Sequence, residues 1–210
     1  MKRSISFLLL LALGTVIVVF NSCGKDDDPT SDKGVVINGV KWATRNVAAP
    51  GFFASKPEDV GMFYQWNRKK AWAANGDTTD WDATIPEGYV WQTSNDPSPA
   101  GWRVPYEVEI PKLLDADKVN NEWTTRDGIN GRKFTDKITG NSIFLPAAGY
   151  RHSYDGTFIN DGDSYFYWSS TVPEVYYSVG AYCLRFGSRD SADYISIFRA
   201  YGFSVRSVEY

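Results

Sequence analysis

Residues 143–171 read IFLPAAGYRHSYDGTFINDGDSYFYWSST, and this stretch constrains the fold more than any other. Two apolar and aromatic runs, 143–150 and 165–171, flank a loop dense in Asp, Gly, Ser and Asn. β-Branched and aromatic residues favour a pleated, half-buried surface, whereas the Asp155-Gly156 and Asp161-Gly162 pairs mark tight turns. The pattern predicts two core strands joined by a surface excursion, with a small hairpin near 157–160. Loops carried by a rigid scaffold are where binding surfaces concentrate. The candidate ligand-binding residues are therefore Arg151, His152, Tyr154 and Asp155, with Tyr176 and Tyr177 in the turn-rich segment beyond.

The chain ahead of this stretch carries turn signals at short intervals. Residues 35–43 (VVINGVKWA) read as a hairpin closed by Asn38-Gly39. A second hairpin is expected over 121–136, its turn using Asp127-Gly128 and Asn130-Gly131. Three prolines in NDPSPAGWRVP, 95–105, forbid helix and a regular central strand there. Val108, Ile110, Leu113 and Leu114 then show helical spacing, and Pro111 fits only a first turn, so a helix is expected to start near Glu107 and run to Asp117. Short strands are expected over 180–187, 194–198 and 203–208.

The amino terminus gives an address. Lys2 and Arg3 precede an apolar run over 5–20, too short for a membrane span of about 20 residues and suited to a secretory signal core. It ends in Asn21-Ser22-Cys23-Gly24, which resembles the cleavage box of bacterial lipoproteins, with Phe20 and Asn21 standing where Leu and a small residue are usual. On this reading 1–22 is a lipoprotein signal peptide and Cys23 carries the lipid, palmitate included. Lys25, Asp26, Asp27 and Asp28 follow, and resemble the export signal that Bacteroidetes use to send lipoproteins to the outer face of the outer membrane. The polar residues 23–34 are expected to form a flexible acidic tether. Cleavage removes Lys2 and Arg3 and no acidic residue, taking the formal net charge from −3 to −5. A mildly acidic chain lacks the clustered Lys and Arg that nucleic acid requires, so no nucleic-acid partner is expected.

Few residues offer chemistry. With Cys23 lipidated, Cys183 has no disulfide partner, and one cysteine and one histidine cannot assemble a Cys/His zinc site. His152 has Ser153 and Asp155 beside it, yet no GxSxG elbow accompanies them, so no catalytic residues are assigned and no enzyme is expected. Asn160, Asp155, Asp161 and Asp163 offer oxygen ligands suited to calcium, but Asp-Gly turns account for the same residues and no metal is assigned. Neither a Walker loop nor GxGxxG occurs, and no cofactor is expected. Trp42, Trp66, Trp102 and Trp168 are expected in the core, whereas Trp72, Trp81 and Trp91 lie in polar surroundings and are expected nearer the surface.

Six segments in order, GVKWATRNV (39–47), GMFYQWN (61–67), NDPSPAGWRVP (95–105), IFLPAAGYR (143–151), YFYWSST (165–171) and GFSVRSV (202–208), resemble the Fibrobacter succinogenes major paralogous domain. The resemblance spans nearly all of 35–210 and implies one α+β domain of the C-type-lectin-like kind, related to sulfatase-modifying factors. That fold is a mixed, mainly antiparallel set of short strands with one or two helices and long loops. Ser98 stands where relatives often carry cysteine, and no Glu-Pro-Asn calcium triplet occurs. The resemblance implies a lipid-anchored, surface-exposed outer-membrane protein, membrane-bound through Cys23, that binds an extracellular glycan or protein. A fimbrial or cell-envelope assembly component is the rival, and an enzyme of unknown type comes third.

Overall fold

The computed structural model of the protein describes residues 28–160, 164–173, 179–189 and 192–210. The strands in chain order are β1 (Val35–Ile37), β2 (Val40–Trp42), β3 (Phe63–Gln65), β4 (Ala71–Trp72) and β5 (Trp102–Arg103). After the helix α1 (Ile110–Leu114) come β6 (Val119–Arg126), β7 (Ile129–Asp136), β8 (Ser142–Pro146), β9 (Tyr150–Arg151) and β10 (Phe158–Ile159). The chain closes with β11 (Tyr165–Trp168), β12 (Gly180–Phe186), β13 (Asp193–Phe198), β14 (Gly202–Phe203) and β15 (Val208–Glu209). They form four antiparallel sheets, ordered β1-β2-β15-β5, β10-β9-β14-β3-β4, β11-β12-β13 and β6-β7-β8.

The sequence Tyr165-Phe166-Tyr167-Trp168 explains how the sheets are stacked. Successive strand side chains point to opposite faces. Tyr165 and Tyr167 enter one core cluster with Trp42, Phe134, Leu145 and Phe186, while Phe166 and Trp168 enter another with Tyr64, Trp66, Phe203 and Val205. Both faces of β11 are buried, so its sequence is continuously apolar rather than alternating with polar residues. β12 repeats the device, with Leu184 and Phe186 in the first cluster and Ala181 and Cys183 in the second. The β11-β12-β13 sheet is thus the wall between two cores.

Tight turns set the hairpins. Asn38 and Gly39 take φ of 45° and 77°, and Asp127 and Gly128 take 47° and 83°. Two consecutive positive φ values match the twist of paired strands and suit Asn, Asp and Gly. β1 pairs β2 with Ile37 opposite Val40, and β6 pairs β7 with Arg126 opposite Ile129. Asn130-Gly131 lies inside β7, not in the turn. Gly131 faces Pro146 on β8, and a Cβ there would strike the Leu145 carbonyl and the Phe144 ring. It is glycine for close approach.

Several expectations need correction. The α+β class gives way to a nearly all-β chain, because α1 has five residues and the other described helical turn, Thr93–Asn95, has three. The helix begins at Ile110, not Glu107: the Glu109 carboxylate accepts the Tyr106 amide at 2.7 Å and pairs with Arg103, occupying the turn that would have opened it. It stops at Leu114 because Asp115 is extended. The two core strands expected over 143–150 and 165–171 are present as β8 and β11, in different sheets: β8 joins β7 and β11 joins β12. The expected strand over 203–208 divides between β14 and β15, which belong to different sheets.

Of the expected tether, 23–34, residues 28–34 are bonded to the folded body, and 23–27 lie outside the described residues. The carbonyls of Asp28 and Ser31 accept from Arg45 Nη2, and the Pro29 carbonyl accepts from the Phe53 amide. Asp32 accepts from the Gly34 and Thr44 amides and the Thr44 hydroxyl, and meets Arg45 Nε at 3.3 Å. From Asp28 onward the chain is part of the folded body.

Candidate functional site

The loop expected to bind ligand is shaped by one buried arginine. Arg151 is 1 % exposed, and all five of its N–H groups are spent on backbone carbonyls: Ala73 twice, Asn75, Gly76 and Gly156, at 2.6–3.0 Å. It clamps two loops together and presents nothing to a ligand. His152 is half-buried, its ring edge-on to Tyr201 at 5.5 Å, and its Nδ1 accepts the Tyr154 amide at 3.3 Å. Asp155 accepts the Thr157 amide at 2.9 Å, and that bond holds its carboxyl below the usual range. These two side chains shape the turn, and Ser153 lends its carbonyl to Trp81 Nε1. Tyr154 stands out at 84 % exposed.

Asp28 is described and its carboxylate accepts from the Thr30 amide and hydroxyl at 2.8 and 2.7 Å. Cys23, Lys25, Asp26, Asp27, Asp161, Asp163, Tyr176 and Tyr177 lie outside the described residues. Trp72 and Trp91, expected near the surface, are buried, and Trp81 is half-buried. Cys183 is fully buried in β12, and burial pushes its thiol up, away from the thiolate a nucleophile needs.

A different place gathers unsatisfied polarity and exposed aromatics. Past β11 the backbone continues through Ser170, whose carbonyl accepts the Trp91 amide at 2.8 Å and whose own amide donates to the Pro105 carbonyl at 2.7 Å. Ser170 is therefore pinned between the segment leading to Asp96 and the proline-rich segment 97–105. Tyr210 closes the far side, its amide bonded to the Gly101 carbonyl at 3.2 Å beside the β15–β5 pair. Between them opens a notch of about 40 Å3 lined by Trp91, Thr93, Asp96, Arg103, Val104, Tyr106, Ser170 and Tyr210.

The electrostatics of the notch follow from its neighbours. Asp96 is oriented by the Ser98 amide on Oδ1 at 2.8 Å and the Val104 amide on Oδ2 at 2.9 Å. Arg103 makes a bidentate pair with Glu109 at 2.8 and 2.7 Å, and its guanidinium lies 3.9 Å from the Tyr106 ring centre. Burial alone lowers the Arg103 pKa, but the Glu109 carboxylate outweighs it, and the guanidinium is held above its ordinary value. Ser170 is 3 % exposed and its Oγ makes no hydrogen bond among the described residues. Leaving a buried hydroxyl unsatisfied costs about 1–3 kcal/mol, a local cost of packing the three segments together. Tyr106 and Tyr210 stand at the mouth, 44 % and 70 % exposed.

A larger hollow of about 270 Å3 lies on the β6-β7-β8 sheet, lined by Thr124, Arg126, Lys133, Ser142 and Phe144. Its cations are already engaged, Arg126 with the buried Glu58 at 3.2 Å and Lys133 with Glu122 at 3.7 Å. The notch is smaller, but of the two it alone has exposed aromatic side chains, Tyr106 and Tyr210, in its lining. Sequence reading passed over it because its residues come from four segments. The signal that was available is NDPSPAGWRVPY, where prolines fix a path and an aromatic ends it.

The chain matches no family model, no curated protein and no solved structure.

Proposed function

We propose that this chain is a lipoprotein on the outer face of an outer membrane, and that its β-rich domain captures an extracellular ligand, glycan or protein, in the notch between Tyr106 and Tyr210. The apolar run ending at Cys23, the Lys25, Asp26, Asp27, Asp28 sequence and the ordered resemblance to the Fibrobacter succinogenes major paralogous domain support the address. The observation that carries the site is the pair of exposed aromatic side chains, Tyr106 and Tyr210, lining one notch with the Asp96 carboxylate. Nothing in this proposal requires a reaction: His152 contacts Tyr154, Asp155 and Tyr201, and Cys183 is buried in β12.

The reading is tested in two parts. Cys23→Ala ends lipid labelling and releases the protein from the membrane fraction; labelling that persists in this variant overturns the anchor. On intact cells, Tyr106→Ala with Tyr210→Ala lowers ligand capture at least about tenfold, the worth of roughly 1.4 kcal/mol, while Tyr154→Ala leaves it unchanged. Capture that follows Tyr154 instead moves the site back to the 152–157 loop.

A further inference from the structure

We propose that the folded body itself meets the bilayer, the tip of the loop over 48–53 resting in the lipid surface with Phe52 entering it. The inference goes beyond ligand capture and rests on one part of the proposed function, the lipid on Cys23. It names a second membrane contact, made by the protein's own surface.

Composition comes first. Residues 46–55 read NVAAPGFFAS, an uncharged run in a chain of which 22 % is charged. Arg45 ahead of it is buried against Asp32, and Lys56 behind it is exposed. Phe53 is 2 % exposed and edge-on to Trp102 at 5.7 Å, whereas Phe52 is 44 % exposed and Ala49, whose carbonyl accepts the Phe52 amide, is exposed with it. A single exposed Phe is common on soluble proteins. Its backbone and its position set this one apart.

The backbone has already found its partners. The amides of Val47, Ala48, Gly51, Phe52, Phe53 and Ala54 all donate to carbonyls within the protein, at 2.6–3.0 Å. Pro50 has no amide hydrogen to place. The Val47 and Ala48 carbonyls accept from the Met62 amide and the Tyr64 hydroxyl. Surroundings poor in water penalise each unpaired N–H, which is what keeps most irregular loops out of lipid. This loop meets most of that demand before it reaches a membrane.

Position supplies the occupant. The Phe53 amide bonds to the Pro29 carbonyl, next to Asp28, and Asp28 lies five peptide links beyond Cys23 (28 − 23). Acyl chains on Cys23 therefore sit at the end of the body that carries this loop. The bond from the Gly51 amide to the Pro97 carbonyl continues the uncharged surface into 97–102, PSPAGW, exposed at Ala100. Charge sets the depth. Asp28 and Lys56 are exposed on either flank, and taking a charge out of water is costly. Only the tip enters, at the boundary between headgroups and acyl chains where peripheral apolar faces lie. A protein partner would have no such tie to this end of the chain.

The test uses the mature lipidated chain in vesicles of phosphatidylethanolamine and lipid A that contain brominated phosphatidylcholine. A fluorophore is coupled at Phe52→Cys, at Ala49→Cys, or at Tyr154→Cys as the reference, a residue 84 % exposed in another loop. Cys183 is fully buried and stays unlabelled. Labels at 52 and 49 are expected to lose most of their emission to bromine on the acyl chains and to be shielded from iodide in the water. The label at 154 shows the reverse. Labels at 52 and 49 that behave like the one at 154, on a chain still bound to the vesicles, overturn the contact and leave the anchor standing. Shielding from iodide without quenching by bromine means that protein covers the tip, and overturns the contact as well. A chain that carries no lipid and stays off the vesicles overturns the anchor and the contact together.

Discussion

At the scale of single residues, this protein uses arginine as an internal fastener. Arg206 is 1 % exposed; its Nε donates to Asn46 Oδ1, Nη1 to the Ala43 carbonyl and Nη2 to the Phe144 carbonyl, at 3.0–3.1 Å. Burial pulls its pKa down to about 10, and it stays charged at neutral pH. The planar fork reaches three acceptors at once, which a lysine ammonium cannot do in that geometry. Hydrogen bonds to charged groups are worth about 1.5–3 kcal/mol each, so Arg206→Lys is expected to cost about 3 kcal/mol in urea denaturation. Trp168 makes a second case. It is fully buried, with Nε1 donating to the Tyr64 carbonyl at 2.8 Å, and Trp168→Ala is expected to cost about 3–5 kcal/mol. A melting curve like the wild type's would remove it from the core. Trp168 was legible as core from its apolar neighbours. Arg151 and Arg206 were not, because a burial that depends on carbonyls tens of residues away leaves no local pattern.

At the scale of elements, one carboxylate ties two turns together. Asp136 at the end of β7 accepts from the Ile138 and Thr139 amides in its own turn and from the Asn38 amide in the β1–β2 turn, at 2.8–2.9 Å. These amides favour the charged form, and the Asn38 bond contributes most to bringing its pKa from 3.8 down to about 2. A carboxyl depressed on folding stabilises the fold above its unfolded pKa and loses that contribution as pH falls through the folded one. Stability is therefore expected to drop between about pH 3.8 and pH 2, and the drop should be shallower in Asp136→Asn when melting temperature is followed against pH. The same turns show what sequence can reveal. Asn38-Gly39 and Asp127-Gly128 announced their hairpins because positive φ restricts residue choice. Pairing partners stayed hidden, since an apolar run such as β8 or β11 fits any sheet that buries both its faces. The helix over 107–117 failed because apolar spacing in a short proline-bearing segment cannot report that Glu109 is already engaged with Arg103 and Tyr106.

At the scale of the whole molecule, Arg151 braces the 150–157 loop from within, while the notch is assembled from segments around 91–96, 103–106, 170 and 210. No local reading joins such segments; the join is made by β11 running on into Ser170. The docked residues 28–34 matter at this scale too. With lipid on Cys23, only the links from Cys23 to Asp28 separate the bilayer from the body. At about 3.3–3.6 Å per residue they reach at most about 18 Å. A body of this length has a radius of gyration near 16 Å, so its width exceeds that reach. The protein is then moored rather than leashed: it can rock on the membrane but cannot turn over, and the side bearing Pro29 and Phe53 stays toward the lipid. Inserting ten Gly/Ser residues after Asp27 is expected to speed cleavage of the body by externally added protease; an unchanged rate would mean that the mooring imposes no such restriction. If Cys23 carries lipid as proposed, a ligand captured on this protein would be held within a body's width of the bilayer, close enough to be handed to a neighbour embedded in the same membrane without diffusing away.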